Sequence, residues 1–117
     1  MAAERLSASA RRFLVEEIRS VMQLELVLLL HRERDRCWSA AAAARELRAP
    51  EQWLEDQLQA LLARGVAATS SQEEGCYRLD VAGPMAPTID EIALRYPQWR
   101  TSMVALIHRA RPADLHG

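Results

Sequence analysis

Apolar and polar positions fall into blocks of distinct period along the chain. Residues 1–12 are small and polar, which predicts partial disorder up to about Ser7 or Ser9 and helix from Arg12 onward. Phe13, Leu14, Ile18 and Val21 then recur at spacings that put them on one side of a helix. Ser20-Val21-Met22-Gln23 has the form of a capping box, in which serine and glutamine satisfy each other's terminal amides, so a second helix is expected to begin there. Leu24, Leu26, Val27, Leu28, Leu29 and Leu30 make it apolar nearly all round, as suits a helix buried in a small core. The alternating charges His31-Arg32-Glu33-Arg34-Asp35-Arg36 close it as a solvated end.

The stretch from Cys37 to Asp80 has the most definite grammar. Ser39 precedes Ala40–Ala44 and Leu47, so its hydroxyl is the expected cap of an alanine-rich helix. Arg48-Ala49-Pro50 interrupts the pattern, because a residue before proline is pushed out of the helical region while proline suits the first position of a new helix. In that next helix Leu54, Leu58, Leu61 and Leu62 fall at helical spacing, and Gly65 after Arg64 is placed to end it. Val66–Thr69 and Cys76–Leu79 are two short strands around the polar loop 70–75. Helix, turn, helix and hairpin in that order predict a winged helix-turn-helix, within an α+β, mostly helical fold that adds an N-terminal helix and a long C-terminal helix.

The C-terminal part follows a Gly83-Pro84-Met85-Ala86-Pro87 linker. Thr88-Ile89-Asp90-Glu91 reads as another capping box, with the helix starting at Ile89. Ile89, Ile92, Tyr96, Trp99, Met103, Leu106 and Ala110 alternate at three and four residues, a heptad seam that wants another helix. Pro97 removes one backbone bond and predicts a kink between Arg95 and Gln98. Residues from Arg109 are expected to form a tail. The organisation is therefore a tail and helix over 1–23, the winged domain over 24–82 and a dimerisation helix over 88–111. Ile92, Tyr96, Trp99, Met103, Leu106 and Ala110 would form the contact between two copies, or pack on the chain's own N-terminal helix.

The segment over residues 24–80 resembles the winged helix-turn-helix of MarR-type bacterial transcriptional regulators, most specifically in Leu61-Leu62-Ala63-Arg64-Gly65-Val66. The resemblance implies that the helix before Gly65 lies in the major groove and that the hairpin tip touches the DNA backbone. Gln52, Trp53, Asp56 and Gln57 would then face the groove, and Gln52 and Gln57 could bond adenine edges. Arg45, Arg48 and Arg78 would hold phosphates.

Charge changes that picture. Net charge is −1, and all 15 basic residues are arginine, which together with the alanine content points to a GC-rich genome. By segment the balance is +2 over residues 1–50, −4 over 51–80 and +1 over 81–117. The acidic excess thus lies on the helix and hairpin that would face DNA, including Glu73 and Glu74 at the tip. Nucleic-acid affinity rests on neutralising phosphates, and tryptophan is enriched at protein interfaces. Two functions therefore stand: a DNA-binding regulator, and an adaptor that offers the same acidic face, with Trp53, to a basic protein.

The chemistry is otherwise sparse. His31, His108 and His116 are scattered and the two cysteines lie far apart, so no spacing resembles a zinc site and neither metal nor cofactor is expected. No phosphate loop, nucleophile motif or carboxylate pair suggests an enzyme. No apolar run approaches the ~20 residues of a membrane span, and no secretion signal is evident, so a cytoplasmic protein is expected. In a winged helix the strand entering the alanine-rich helix pairs with the second hairpin strand, which would bring Cys37 beside Cys76. That pair would be either two reduced, buried thiols or a redox switch.

Overall fold

The computed structural model describes residues 6–110. It is mostly helical with one small three-stranded antiparallel sheet, so the α+β class expected from the pattern holds. The elements are α1 (Ala8–Arg12), a π-helical turn (Phe13–Glu17), α2 (Val21–Arg32), β1 (Trp38–Ser39), α3 (Ala40–Leu47), α4 (Glu51–Ala63), β2 (Ala67–Thr69), β3 (Cys76–Leu79) and α5 (Ala86–Ala110). They fall into two compact units. One takes the chain ends, up to Leu24 and from Pro87 on, and the other is Glu25–Ala86.

In the terminal unit the first helix starts at Ala8 rather than Arg12, because the Ser7 hydroxyl accepts from the Ala10 amide at 3.1 Å and caps it. The Ile18 amide then donates to the Phe13 carbonyl at 3.2 Å, five residues back, and Ile18 itself is extended. Phe13, Leu14 and Ile18 are buried as their spacing predicts. Of the disorder expected up to Ser7 or Ser9, residues 1–5 lie outside the described residues, whereas Leu6 is buried, Ser7 is bonded and Ala8 opens α1; of the tail expected from Arg109, residues 111–117 lie outside them, whereas Arg109 and Ala110 still belong to α5.

The box at Ser20 forms with one displacement. Ser20 Oγ accepts from the Gln23 amide at 3.1 Å, but the Gln23 side chain reaches back to the Arg19 amide at 2.7 Å instead of to Ser20's own. The box at Thr88 does not start its helix. Helix α5 already begins at Ala86, three residues earlier than Ile89, and Glu91 accepts from the Ser7 amide at 2.9 Å and the Ser7 hydroxyl at 2.6 Å. The carboxylate expected to serve its own helix therefore holds the start of α1. The distortion of α5 falls at Trp99 (φ −114°, ψ 16°), past the expected span from Arg95 to Gln98. Proline's ring fixes a helical φ at Pro97 itself, so a neighbour that keeps its freedom takes up the deviation.

The central unit follows its sequence signals closely. The Ser39 hydroxyl accepts from the Ala42 amide at 3.1 Å and caps α3. Helix α3 ends at Arg48 in the left-handed region (φ 56°, ψ 48°), a conformation that costs a non-glycine residue roughly 1 kcal/mol. Pro50 is extended and stands one residue before α4, so it precedes the first helical position rather than occupying it. At the other end the Val66 amide donates to the Leu61 carbonyl at 2.9 Å and the Gly65 amide to Leu62 at 3.2 Å, with Gly65 at φ +78°. This pair of bonds is a Schellman closure, and glycine supplies its left-handed residue without the Cβ penalty.

The sheet order is β1-β3-β2, with Trp38 opposite Tyr77 and Ala67 opposite Leu79. Small Ala40 and Ala43 are buried on α3, which lets α3 and α4 approach closely. Leu54, Leu58 and Leu61 of α4 are buried with Trp38, Val66 and Leu79, whereas Leu62 stays 39% exposed. The loop after β3 turns back tightly: a Cβ on Gly83 would lie 2.8 Å from the Gly65 carbonyl oxygen, so glycine is required there. Among the described residues no helix is long and apolar enough to cross a membrane.

Candidate functional site

Helix α4 buries one side and presents the other, and the residues singled out from sequence divide accordingly. Gln52 and Asp56 are exposed, Trp53 and Gln57 half-buried. One turn apart, the Gln52 side-chain amide donates to the Asp56 carboxylate at 3.1 Å, so a glutamine expected to read base edges is already engaged on its own helix. Trp53 is neither fully covered nor fully free. Arg45, Arg48 and Arg78 are all exposed, as is Glu73 in the loop before β3. No basic residue occurs on α4 before its cap at Arg64, whereas Glu51, Glu55 and Asp56 do. The outward side of α4 and the hairpin tip with Glu73 and Glu74 are accordingly both acidic.

Two clusters in this unit go beyond the sequence reading, the second by adding a bond and Glu73 to the expected Cys37–Cys76 neighbourhood. The first joins α4 to β3. The Tyr77 hydroxyl donates to the Glu55 carboxylate at 2.6 Å, and the Gln59 side-chain amide donates to the same oxygen at 3.1 Å. The bond to Glu55 raises the tyrosine's pKa above its ordinary 10.0; burial and the negative charge of Glu55 act in the same direction, and Gln59 acts against them. Because the folded-state value is the higher one, the stability this bond supplies is complete below about pH 10, the unfolded value, and is lost as pH rises through the folded value. Tyr77→Phe should therefore cost about 1 kcal/mol at neutral pH, as a hydrogen bond to a partly exposed carboxylate does. Urea unfolding at several pH values should show that difference constant up to about pH 9 and shrinking above 10. A difference independent of pH would mean that the hydroxyl, not its proton, carries the effect.

The second cluster lies at the root of the hairpin. The Cys37 and Cys76 Cα atoms are 5.4 Å apart and the residues are joined by a disulfide, 39 residues apart in sequence. The expected neighbourhood thus holds, but two reduced, buried thiols do not describe it, since Cys37 is half-buried and the pair is bonded. Strand pairing provides the juxtaposition, with Ser39 opposite Cys76 and Trp38 opposite Tyr77. Trp38 is 1% exposed and the Arg36 guanidinium lies 3.7 Å from its ring centroid, a cation–π contact that ties the end of the charged run to the sheet. A carboxylate oxygen of Glu73 completes a group with the two sulfurs in which all three atoms lie within 4.8 Å of one another. Sequence spacing gave no hint of this set, because the strand register creates it.

On α5 the seam is partly spent within one chain. Ile92, Met103 and Leu106 are buried in the single chain, while Tyr96, Trp99 and Ala110 are half-buried. Trp99 and Leu106 line an open cavity of about 660 Å³ together with Arg11 and Arg109. The large apolar residue most exposed on this helix is Leu94, at 78%, off the predicted seam.

No protein-family model, curated protein or solved structure matches the chain.

Proposed function

We propose that this chain is a small winged-helix transcriptional regulator that binds duplex DNA through α4 and the β2–β3 hairpin. The observation that carries the proposal is the order β1, α3, three-residue turn, α4, hairpin, with the strand opening α3 paired to the far hairpin strand. Such a unit offers one helix for the major groove and a hairpin for the flanking backbone. Gln52, Trp53, Asp56 and Gln57 would face the bases, and the exposed Arg45, Arg48 and Arg78 would neutralise phosphates. A homodimer would set two such helices on successive groove faces. Its contact would draw on Leu94, Tyr96 and Trp99, because Ile92, Met103 and Leu106 have little free surface.

A second function has its own observation. The exposed Glu51, Asp56, Glu73 and Glu74 outnumber the arginines of α4 and the hairpin, Arg64 and Arg78, and Gln52 is turned onto Asp56. An adaptor that offers this acidic face and Trp53 to a basic protein segment fits that distribution, with Arg and aromatic side chains of the partner as the expected complement.

Fluorescence anisotropy with pooled labelled duplexes separates the two. Under the DNA proposal the wild-type chain binds at low salt, with log K falling against log salt at a slope of about −2 to −3 for three phosphate contacts. Arg48→Ala should lower the slope by about one, and Asp56→Arg with Glu73→Arg should tighten binding at least several-fold. A wild type that ignores duplex at ~50 mM salt, where phosphate contacts are strongest, gives up the DNA proposal; weak, salt-sensitive binding gained only by the double variant then supports the adaptor.

A further inference from the structure

We propose that Cys37, Cys76 and Glu73, once the disulfide is reduced, form a site for one zinc-class divalent ion at the root of the hairpin. The ligand atoms are already gathered: both sulfurs and a Glu73 carboxylate oxygen lie within 4.8 Å of one another. A tetrahedral ion with metal–sulfur bonds of about 2.3 Å holds its two sulfurs about 3.8 Å apart. Side chains whose Cα atoms are 5.4 Å apart reach that separation by rotating about Cα–Cβ, with the backbone unmoved. Reduction does not disperse the pair, because the backbone pairing of Trp38 with Tyr77 and Ser39 with Cys76 holds them together.

The surroundings suit the reduced state. Cys76 Sγ lies 3.3 Å from the Glu73 carbonyl oxygen, a contact that becomes a hydrogen bond only when the sulfur carries a proton. Cys76 is buried, Cys37 half-buried and Glu73 exposed, so the ligands run from one enclosed sulfur to a carboxylate at an open mouth. Two thiolates with one carboxylate favour a borderline-soft ion over magnesium or calcium, which prefer all-oxygen sets. The fourth position is left for water or a group of a partner. The −4 balance over residues 51–80 adds attraction for a cation.

The chemistry closes on itself. Two small-molecule thiols reduce the bridge: the protein sulfur–sulfur bond breaks, each cysteine gains a proton and an electron, and the reductant leaves as its own disulfide. Metal entry then displaces both thiol protons, so affinity rises with pH. The bridge and the ion use the same sulfurs and exclude each other, so a small-molecule disulfide that re-forms the bridge by exchange, taking up the two electrons and leaving as two thiols, expels the metal and frees Glu73. This holds whichever macromolecule the acidic face meets.

Cobalt(II) is the probe, added to the full chain before and after reduction, with zinc(II) as competitor. The reduced chain should take up one equivalent, with thiolate-to-cobalt charge-transfer absorption and the visible bands of tetrahedral cobalt, and zinc should erase them. The oxidised chain and Cys37→Ser or Cys76→Ser should show no such absorption, and Glu73→Gln should weaken binding at least about tenfold, the usual cost of losing a site group. Circular dichroism reports whether each form is folded; if the reduced chain is not, zinc must restore the fold. Absence of the charge-transfer band, equal binding by a serine variant, unchanged affinity in Glu73→Gln, or a reduced chain that zinc neither binds nor refolds overturns the site.

Discussion

Leu58→Ala lowers the stability of the chain by roughly 2–5 kcal/mol, the range for deleting a fully buried leucine side chain and leaving a cavity. Leu58 is 0% exposed at the middle of the α4 stripe, between Leu54 and Leu61, which are equally covered. The neighbouring turn provides an internal control: Leu62, four residues on, is 39% exposed, and Leu62→Ala should stay within about 0.5 kcal/mol of wild type. In a chain of 117 residues each kcal/mol moves Tm by about 4 °C, so calorimetry should separate the two variants by roughly 8–20 °C. Equal losses for the two leucines would mean that α4 is rotated about its axis. The outward assignment of Gln52, Trp53, Asp56 and Gln57 would fall with it, which makes this stability measurement a test of the candidate site as well.

Reducing the Cys37–Cys76 bridge destabilises the chain by up to about 4 kcal/mol at neutral pH, because a closure 39 residues apart restricts the unfolded ensemble by roughly that much. Urea unfolding with and without a phosphine reductant measures it. The Cys37→Ser, Cys76→Ser double variant should start lower by a similar amount and should not respond to reductant. With a typical stability of about 0.05–0.15 kcal/mol per residue, the reduced chain should retain enough to stay folded, which circular dichroism checks. Zinc at 100 times its dissociation constant would return about 2.7 kcal/mol to the reduced form and nothing to the oxidised one. An unfolding curve indifferent to reductant would mean that the cysteines are not bonded in solution.

Local grammar carried much of the central unit. Ser39 and Gly65 fixed the start of α3 and the end of α4, since a cap or a left-handed closure is a contest among groups within a few residues of each other. The apolar stripe of α4, apart from the exposed Leu62, followed from period, and the two hairpin strands from the turn residues between them. Where a local signal had a competitor elsewhere in the chain, it lost. Glu91 has the spacing of a capping box yet bonds Ser7, 84 residues away, because two good donors at α1 outbid the local amide once the ends meet. The small, polar residues before Arg12 make it the expected helix start, whereas Ser7, itself held by Glu91, caps the helix four residues earlier, at Ala8.

The function-bearing groups divide in the same way. The acidic character of α4 and of the hairpin tip could be counted from the chain, since exposed charges keep their sign wherever the fold puts them. The partners of those charges could not. Glu55 meets Tyr77 from 22 residues away, and Glu73 meets Cys37 through a register that only the three-stranded sheet defines. Sequence by itself therefore determined the cap of α3, the closure of α4, the hairpin and the charge of its outer face, all of which depend on interactions a few residues long. The tertiary structure alone decided which carboxylate bonds which donor, that the neighbouring thiols are joined and that Glu73 stands beside them, because those choices are set by strand pairing and by burial of residues remote along the chain.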